Sequence, residues 1–442
     1  MQPRTLPDWL AYLERLHPQA IALGLDRVER VKNSLGLNPG FPIVTVGGTN
    51  GKGSVCAMLE AMLHGAGYRV GCYTSPHLLR YNERVRIGMR EAADRDLVRA
   101  FAEVEAARVR GGGNTADAQN PGTFDGGSEA VPLTYFEFGT LAALWLFVEQ
   151  GVEAAVLEVG LGGRLDAVNA FDADSAVVVS VDLDHMEYLG GDRESIGFEK
   201  AGIFRPGRPA ICADPEPPAS LKRHAAGIGA KWLAIGVDFG YERQGSQWRY
   251  WGPGGKRSGL PYPALRGAVQ LANASAAITA LDTLRSRLPV AAGELRSGLL
   301  NAEVAGRFQV LPGRPAVILD VAHNPHAARA LAANLRGFER GGRTLAVFSM
   351  LKDKDVAGVI EAVKGVIDHW FIASAATARA ASVEMLAERL AAAAAGSALT
   401  RCESIAAAYA RACDTAAEND KILVFGSFYT VAAVMEARAE SA

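Results

Sequence analysis

Ile43-Val44-Thr45-Val46-Gly47-Gly48-Thr49-Asn50-Gly51-Lys52-Gly53-Ser54 is the stretch on which the fold turns. An apolar, β-branched run enters a glycine-rich turn, and residues 54–65 continue with a helical pattern. Glycines let backbone N–H groups approach phosphate oxygens, and the start of a helix adds partial positive charge. Lys52 would reach β- and γ-phosphates, and the Ser54 hydroxyl stands where such loops contact magnesium or phosphate. The common pattern G-x-x-x-x-G-K-[ST] is not met: Val46 takes the first glycine position, and Gly53 separates Lys52 from Ser54. A plain strand–helix turn would need neither the lysine nor the hydroxyl, so the stretch is read as a phosphate cradle built from Thr49 to Ser54.

Working outward, residues 154–159 and 175–181 are short valine-rich runs, the signature of strands buried on both faces of a parallel sheet. Residues 68–74 read as another strand, 133–150 as a long apolar helix, 236–251 as a hairpin, and 267–287 as an alanine-rich helix. Amphipathic helices open the chain at 10–16 and from Leu25. From 307 onward the alternation is regular. Strands 316–320, 344–349, 369–373 and 422–425 are separated by helices after Pro325, after Asp355, at 383–394 and at 405–417, and a helix at 428–438 ends the pattern. Alternating strands and helices predict doubly wound α/β architecture. Two domains are expected, 1–301 and 302–442. Residues 111–129 are polar and glycine-rich with almost no apolar side chains, and read as a surface loop.

Composition narrows the function classes. The chain has 442 residues, 49% hydrophobic and 21% charged, with a formal net charge of −2. That balance creates no field for nucleic acid or an anionic membrane. Five scattered cysteines without a C-x-x-C pair suggest thiols in a reducing compartment. Residues 1–24 lack a signal-peptide core, and the apolar stretch 141–148 is too short to span a bilayer. A cytoplasmic protein acting on small molecules is expected, working as a monomer.

Certain polar residues stand where strands end. Glu158 closes the 154–159 run, just before Gly160-Leu161-Gly162-Gly163, so its carboxylate faces the ligand-binding edge of a parallel sheet. A buried carboxylate is costly without a cation. His185 follows the next strand and Ser75 follows 68–74, both on the same edge. Oxygen and imidazole donors of this kind suit magnesium completed by phosphates and water. Taken alone, His185 reads as a hydrogen-bonded core histidine and Lys200 as a surface helix lysine.

Gly48-Thr49-Asn50-Gly51-Lys52-Gly53-Ser54 resembles the phosphate loop of the folylpolyglutamate synthases, within the wider Mur ligase group. The motifs that follow keep that family's order. They are Thr74-Ser75-Pro76-His77-Leu78, Leu133-Thr134-Tyr135-Phe136-Glu137, Glu158 to Asp166, Asp184-His185-Met186, Glu199-Lys200-Ala201-Gly202-Ile203, Gly306-Arg307-Phe308, Asp320 to Pro325, and Gly426-Ser427-Phe428. The wording is most similar to the bifunctional branch that also makes dihydrofolate, and 111–129 is an apparent insertion.

The resemblance implies a phosphate-loop ATPase domain with a parallel-rich sheet, followed by a Rossmann-like, doubly wound glutamate ligase domain. It implies ATP as substrate and two Mg²⁺ ions, with Ser75, Glu158, His185 and Lys200 as metal ligands. Lys200 would be carbamylated, since a carbamate offers anionic oxygens where an ammonium would repel the cation. Lys52, His185 and Lys200 would carry catalysis. The nucleotide would be held by Thr49, Asn50, Gly51, Lys52, Gly53 and Ser54 together with Asn273, Arg307 and Asp320. Dihydropteroate or a reduced folate would meet Ala22, Leu23, Gly24, Thr134, Tyr135, Phe136, Glu137, Leu165, Asp166 and Ala167. L-glutamate would meet His323 and Ser427. The implied reaction is ATP-dependent joining of L-glutamate to dihydropteroate and γ-linked extension of reduced folates. The competing expectation is a Mur-type ligase adding an amino acid to a UDP-sugar cell-wall precursor. A nucleotide-binding regulatory module without chemistry would not need Glu158, His185 and Lys200 together.

Overall fold

The computed structural model describes residues 3–19, 21–112, 130–338, 341–394 and 396–440. The polar segment read as a surface loop lies outside these residues from 113 onward. The chain divides into two compact units. The first comprises Met1–Pro76, Tyr81–Tyr262 and Ala272–Asn301; the second comprises His77–Arg80, Pro263–Leu271 and Ala302–Ala442.

In the first unit, β1 (Ile43–Gly47), β2 (Val70–Tyr73), β3 (Val85–Ile87), β4 (Arg90–Glu91), β5 (Ala154–Glu158), β6 (Ser175–Val178), β7 (Pro209–Cys212) and β8 (Lys231–Ala234) form one sheet. Its order is β4-β3-β2-β5-β1-β6-β7-β8. β2, β5, β1, β6, β7 and β8 run parallel, and only the pairs β2–β3 and β3–β4 are antiparallel. β1 and β5 are buried at every residue, which is why their sequences are mostly apolar rather than alternating. The helix Lys52–Gly65 is buried from Ser54 through Leu63. The helix Tyr135–Glu149 is similarly enclosed. Thr134 caps it, with Glu137 reaching back to the Thr134 backbone in a capping box.

The predicted hairpin is instead a three-stranded antiparallel meander, β9 (Gly240–Gln244), β10 (Gln247–Gly252) and β11 (Gly255–Pro261). Asp282, on the helix Gln270–Thr283, accepts from Tyr250 Oη at 2.9 Å, Gly254 N at 3.1 Å and Arg257 Nη1 at 2.9 Å, fastening the meander to that helix.

In the second unit, β12 (Gln309–Leu311), β13 (Ala316–Asp320), β14 (Thr344–Phe348), β15 (His369–Ile372), β16 (Ala398–Arg401) and β17 (Lys421–Phe425) form a sheet of order β12-β13-β17-β14-β15-β16. All pairs but β12–β13 are parallel. Apolar clusters cover both faces, one around Phe348, Trp370 and Phe425, the other around Val347, Phe371 and Val424. This is the doubly wound architecture expected from the alternation. β12 and β16, which it did not include, are short edge strands. Among the described residues no helix is long and apolar enough to cross a membrane.

Candidate active site

Because β2, β5, β1 and β6 are parallel neighbours, the segments after them emerge along one edge of the sheet. Val46 pairs with Glu158 and Gly47 with Val178, so the glycine turn, the Glu158 carboxylate and residues 179–185 leave the sheet side by side. The turn needs its glycines. Gly51 has φ +88°, and a Cβ there would lie 2.7 Å from Val179 Cγ1 and 3.1 Å from Asn273 Oδ1. Asn273, 2% exposed, therefore stands directly against the loop.

The loop is fastened to the strand beside it. Thr49 N donates to Ser180 O at 2.8 Å, Asn50 N to Ser180 Oγ at 3.1 Å, and Asp182 N to Thr49 Oγ1 at 3.0 Å. Ser180 and Asp182 were not among the residues singled out from sequence; a hydroxyl two residues past a buried strand is a weak signal until its neighbour is known. Lys52 folds back over the turn, donating to Gly48 O at 3.1 Å and Thr49 O at 3.2 Å.

Glu158 is 4% exposed and accepts from Ser75 N at 3.1 Å. Its Oε2 lies 3.9 Å from where a Gly53 Cβ would be, which puts the carboxylate beside the helix start. Ser75, Glu158 and the start of the helix Lys52–Gly65 thus lie together. His185 has φ +52° and donates its backbone N–H to Asp184 Oδ1 at 2.9 Å, with its ring partly exposed. Lys200 is not a surface lysine. It is 3% exposed within the helix Arg193–Ala201, and burial, reinforced by nearby Lys52, pushes its ammonium down to about 7 against the pull of Asp184 and Asp166. The glycine turn 160–163 is locked to that helix, since Arg164 N donates to Glu199 O at 2.8 Å and the two side chains pair at 2.8 Å.

Among the described residues no three His, Cys, Asp or Glu side chains gather closely enough to hold a metal by themselves. One buried carboxylate, a serine and an imidazole suit a cation that keeps much of its shell as phosphate oxygens and water, which is the habit of magnesium.

The residues expected to meet the acid substrate gather on the same unit in varied roles. Leu165 O accepts from Gly24 N at 3.4 Å, and Ala22 O accepts from Arg27 at 2.6 Å. Phe136 lies against Gly160 and 5.8 Å from the Tyr73 ring. The Arg84 guanidinium lies 5.3 Å from the Tyr135 ring centre. Glu137 is engaged by Arg27 at 2.7 Å as well as by the Thr134 cap. Asp166, beside the buried Ala167, accepts from Leu161 N at 2.8 Å and Val168 N at 3.1 Å. Burial pushes its carboxyl up to about 7 despite those donors.

In the second unit Asp320 accepts from Phe308 N at 2.9 Å and Ala322 N at 2.8 Å. Burial raises its pKa, and the Arg307 charge opposes that. The helix Pro325–Arg336 is capped by Asn324, whose side chain accepts from Ala327 N. Arg307 lies 5.7 Å from the Phe428 ring, and the His323 ring lies 6.2 Å from it. Ser427 is buried, its hydroxyl accepting from Thr430 N at 3.1 Å and sharing a 2.7 Å bond with Thr430 Oγ1.

Comparison with known proteins places this geometry. Residues 127–281 match the Mur ligase middle domain, and residues 306–428 match the Mur ligase, glutamate ligase domain. The chain is 44% identical over 432 residues to the dihydrofolate synthase/folylpolyglutamate synthase of Escherichia coli K12, covering 98% of this chain and 95% of that one. It matches the structure of E. coli FolC in complex with DHPP and ADP with a TM-score of 0.89 at 43% identity, covering 99% and 98% of the two chains. It matches a bifunctional folylpolyglutamate synthase/dihydrofolate synthase with Mn, AMPPNP and L-glutamate bound at a TM-score of 0.87 and 42% identity, with the same coverage.

Proposed function

The chain belongs to the dihydrofolate synthase/folylpolyglutamate synthase family of Mur ligases, and from that premise we propose that it joins L-glutamate to dihydropteroate and adds γ-linked glutamates to reduced folates. It is an ATP-dependent ligase. The observation that carries the reading is the convergence of Lys52, the glycine turn, Ser75 and buried Glu158 on one sheet edge. The UDP-sugar alternative has no comparable support, since the full-length likeness is to enzymes of folate chemistry.

A free carboxylate resists attack by an amine, and phosphorylation by ATP gives it a good leaving group. The backbone N–H groups of Thr49 to Ser54 would hold the phosphates at the helix start. Lys52 would leave the carbonyls of Gly48 and Thr49 for the phosphoryl oxygens as charge develops on them. Asn273, against Gly51, would hold the nucleotide's other end. Mg²⁺, when bound, would disperse the charge of the transferring phosphoryl group. Ser75, Glu158 and His185 would hold it. Lys200 would hold a second ion once carbamylated, and an amine held near neutrality is one that can take up CO₂. Phe136 would face the pterin ring and Asp166 a pterin nitrogen, with Ala22 to Gly24, Tyr135, Leu165 and Ala167 completing that surface. Thr134 and Glu137 would serve it through the cap they form. Arg307, Asp320, His323 and Ser427 are proposed for nucleotide and glutamate. We propose a cytoplasmic monomer; its five free thiols suit a reducing compartment.

The test is phosphate release with dihydropteroate, ATP and L-glutamate. Lys52→Ala is expected to lower turnover by about a thousandfold in a folded protein, the scale of losing one preorganised charge contact and its positioning. Full turnover in that variant would defeat the assignment.

A further inference from the structure

Glu60 lies on the helix that begins at Lys52, yet the ligation has no use for it. Glu60 is 1% exposed within the stretch Val55–Leu63, which is otherwise apolar. Arg86, on β3, meets it with Nε at 2.9 Å and Nη2 at 2.7 Å. The same guanidinium donates to Glu83 O at 3.2 Å, reaches Thr74 Oγ1 at 3.5 Å, and lies 3.4 Å from Cys72 Sγ. Thr74 immediately precedes Ser75, whose backbone N–H binds the Glu158 carboxylate at 3.1 Å. One planar fork thus spans the phosphate-loop helix, the end of β2 and the turn that carries Ser75.

Apolar side chains of similar volume would fill this space without the desolvation that a buried ion pair requires. What an ion pair adds is direction: a guanidinium fork accepts few geometries, and an apolar contact accepts many. We propose that Arg86 and Glu60 are a positioning pair that fixes the Thr74–Ser75 turn against the phosphate-loop helix and so holds Ser75 and Glu158 in register for the divalent cation. The proposal rests on the assignment of Ser75 and Glu158 as metal ligands.

Replacing both partners together, Glu60→Met with Arg86→Met, leaves no unpaired buried charge, so the fold is expected to persist. The readouts are thermal stability, ADP affinity without metal, and the Mg²⁺ concentration giving half-maximal phosphate release. The expected result is a metal requirement raised by about tenfold or more, the scale on which outer partners of metal ligands act, with metal-free ADP affinity within about twofold. An unchanged metal requirement in the folded double variant overturns the proposal. So does an equal loss of metal-free ADP affinity, which would mean that the helix itself had shifted. If the double variant does not fold, Arg86→Lys keeps the charge and loses the fork. A raised metal requirement there supports the proposal, and wild-type metal dependence overturns it. Ser75→Ala, run in parallel, separates the two readings. An unchanged requirement there overturns the ligand assignment and the proposal with it. A raised requirement there, beside an unchanged one in the pair variant, overturns the positioning pair alone.

Discussion

Asp166→Asn should remove a pH-dependent weakness of the folded chain. Asp166 is 4% exposed, and burial moves its carboxyl from 3.8 up to about 7. Between those values the folded protein binds the proton and the unfolded chain has released it, so stability falls as pH rises. The penalty begins above about pH 4 and is complete above about pH 7. At 1.36 kcal/mol per pH unit the total is about 4 kcal/mol. Of this, about 2–3 kcal/mol falls between pH 5 and 8. Asparagine cannot ionise. It also meets the N–H groups of Leu161 and Val168 less well, because each carboxylate oxygen accepts one of them, but that cost is independent of pH. The quantity to measure is therefore the change in the wild-type-minus-variant difference across the pH range. Five of the six tryptophans, Trp9, Trp145, Trp232, Trp248 and Trp251, belong to the first unit, so urea unfolding followed by tryptophan fluorescence reports on it. Between pH 5 and 8 the variant should gain about 2–3 kcal/mol on the wild type. A difference flat to within about 0.5 kcal/mol would mean that the carboxyl ionises as it does in water, and that the donors at Leu161 and Val168 offset its burial.

Gly51→Ala should cost about 1–2 kcal/mol from its left-handed backbone alone. The contact with Val179 should also lower ADP affinity by about tenfold, measured by calorimetry. Gly36→Ala is the control: φ is +62° with nothing within 4 Å of the added carbon, so stability falls and ADP affinity does not. Asp282→Ala strips Arg257, Tyr250 and Gly254 of a shared acceptor and should destabilise the first unit by about 3–5 kcal/mol, read as an earlier urea transition.

Local sequence determined the elements. The apolar run into Gly47, the turn to Gly51 and the helix to Gly65 are written in neighbouring residues, as are the alternating strands and helices after Ala316. Their signals are periodicity and backbone restriction, which act over a few residues. Partnership over long separations was decided only by tertiary structure. Nothing local says that β5 inserts between β2 and β1, yet that insertion brings Glu158 to Ser75 N and to the helix start. Nor could sequence show that Lys200 is buried near Lys52, that Glu137 answers to both Thr134 and Arg27, or that Asn324 caps the helix while Asp320 holds Phe308 at the start of β12. A residue's type fixes which bonds it can form. Which bonds it does form depends on which distant groups share its burial, because an unpaired polar group in the interior costs more than almost any local preference.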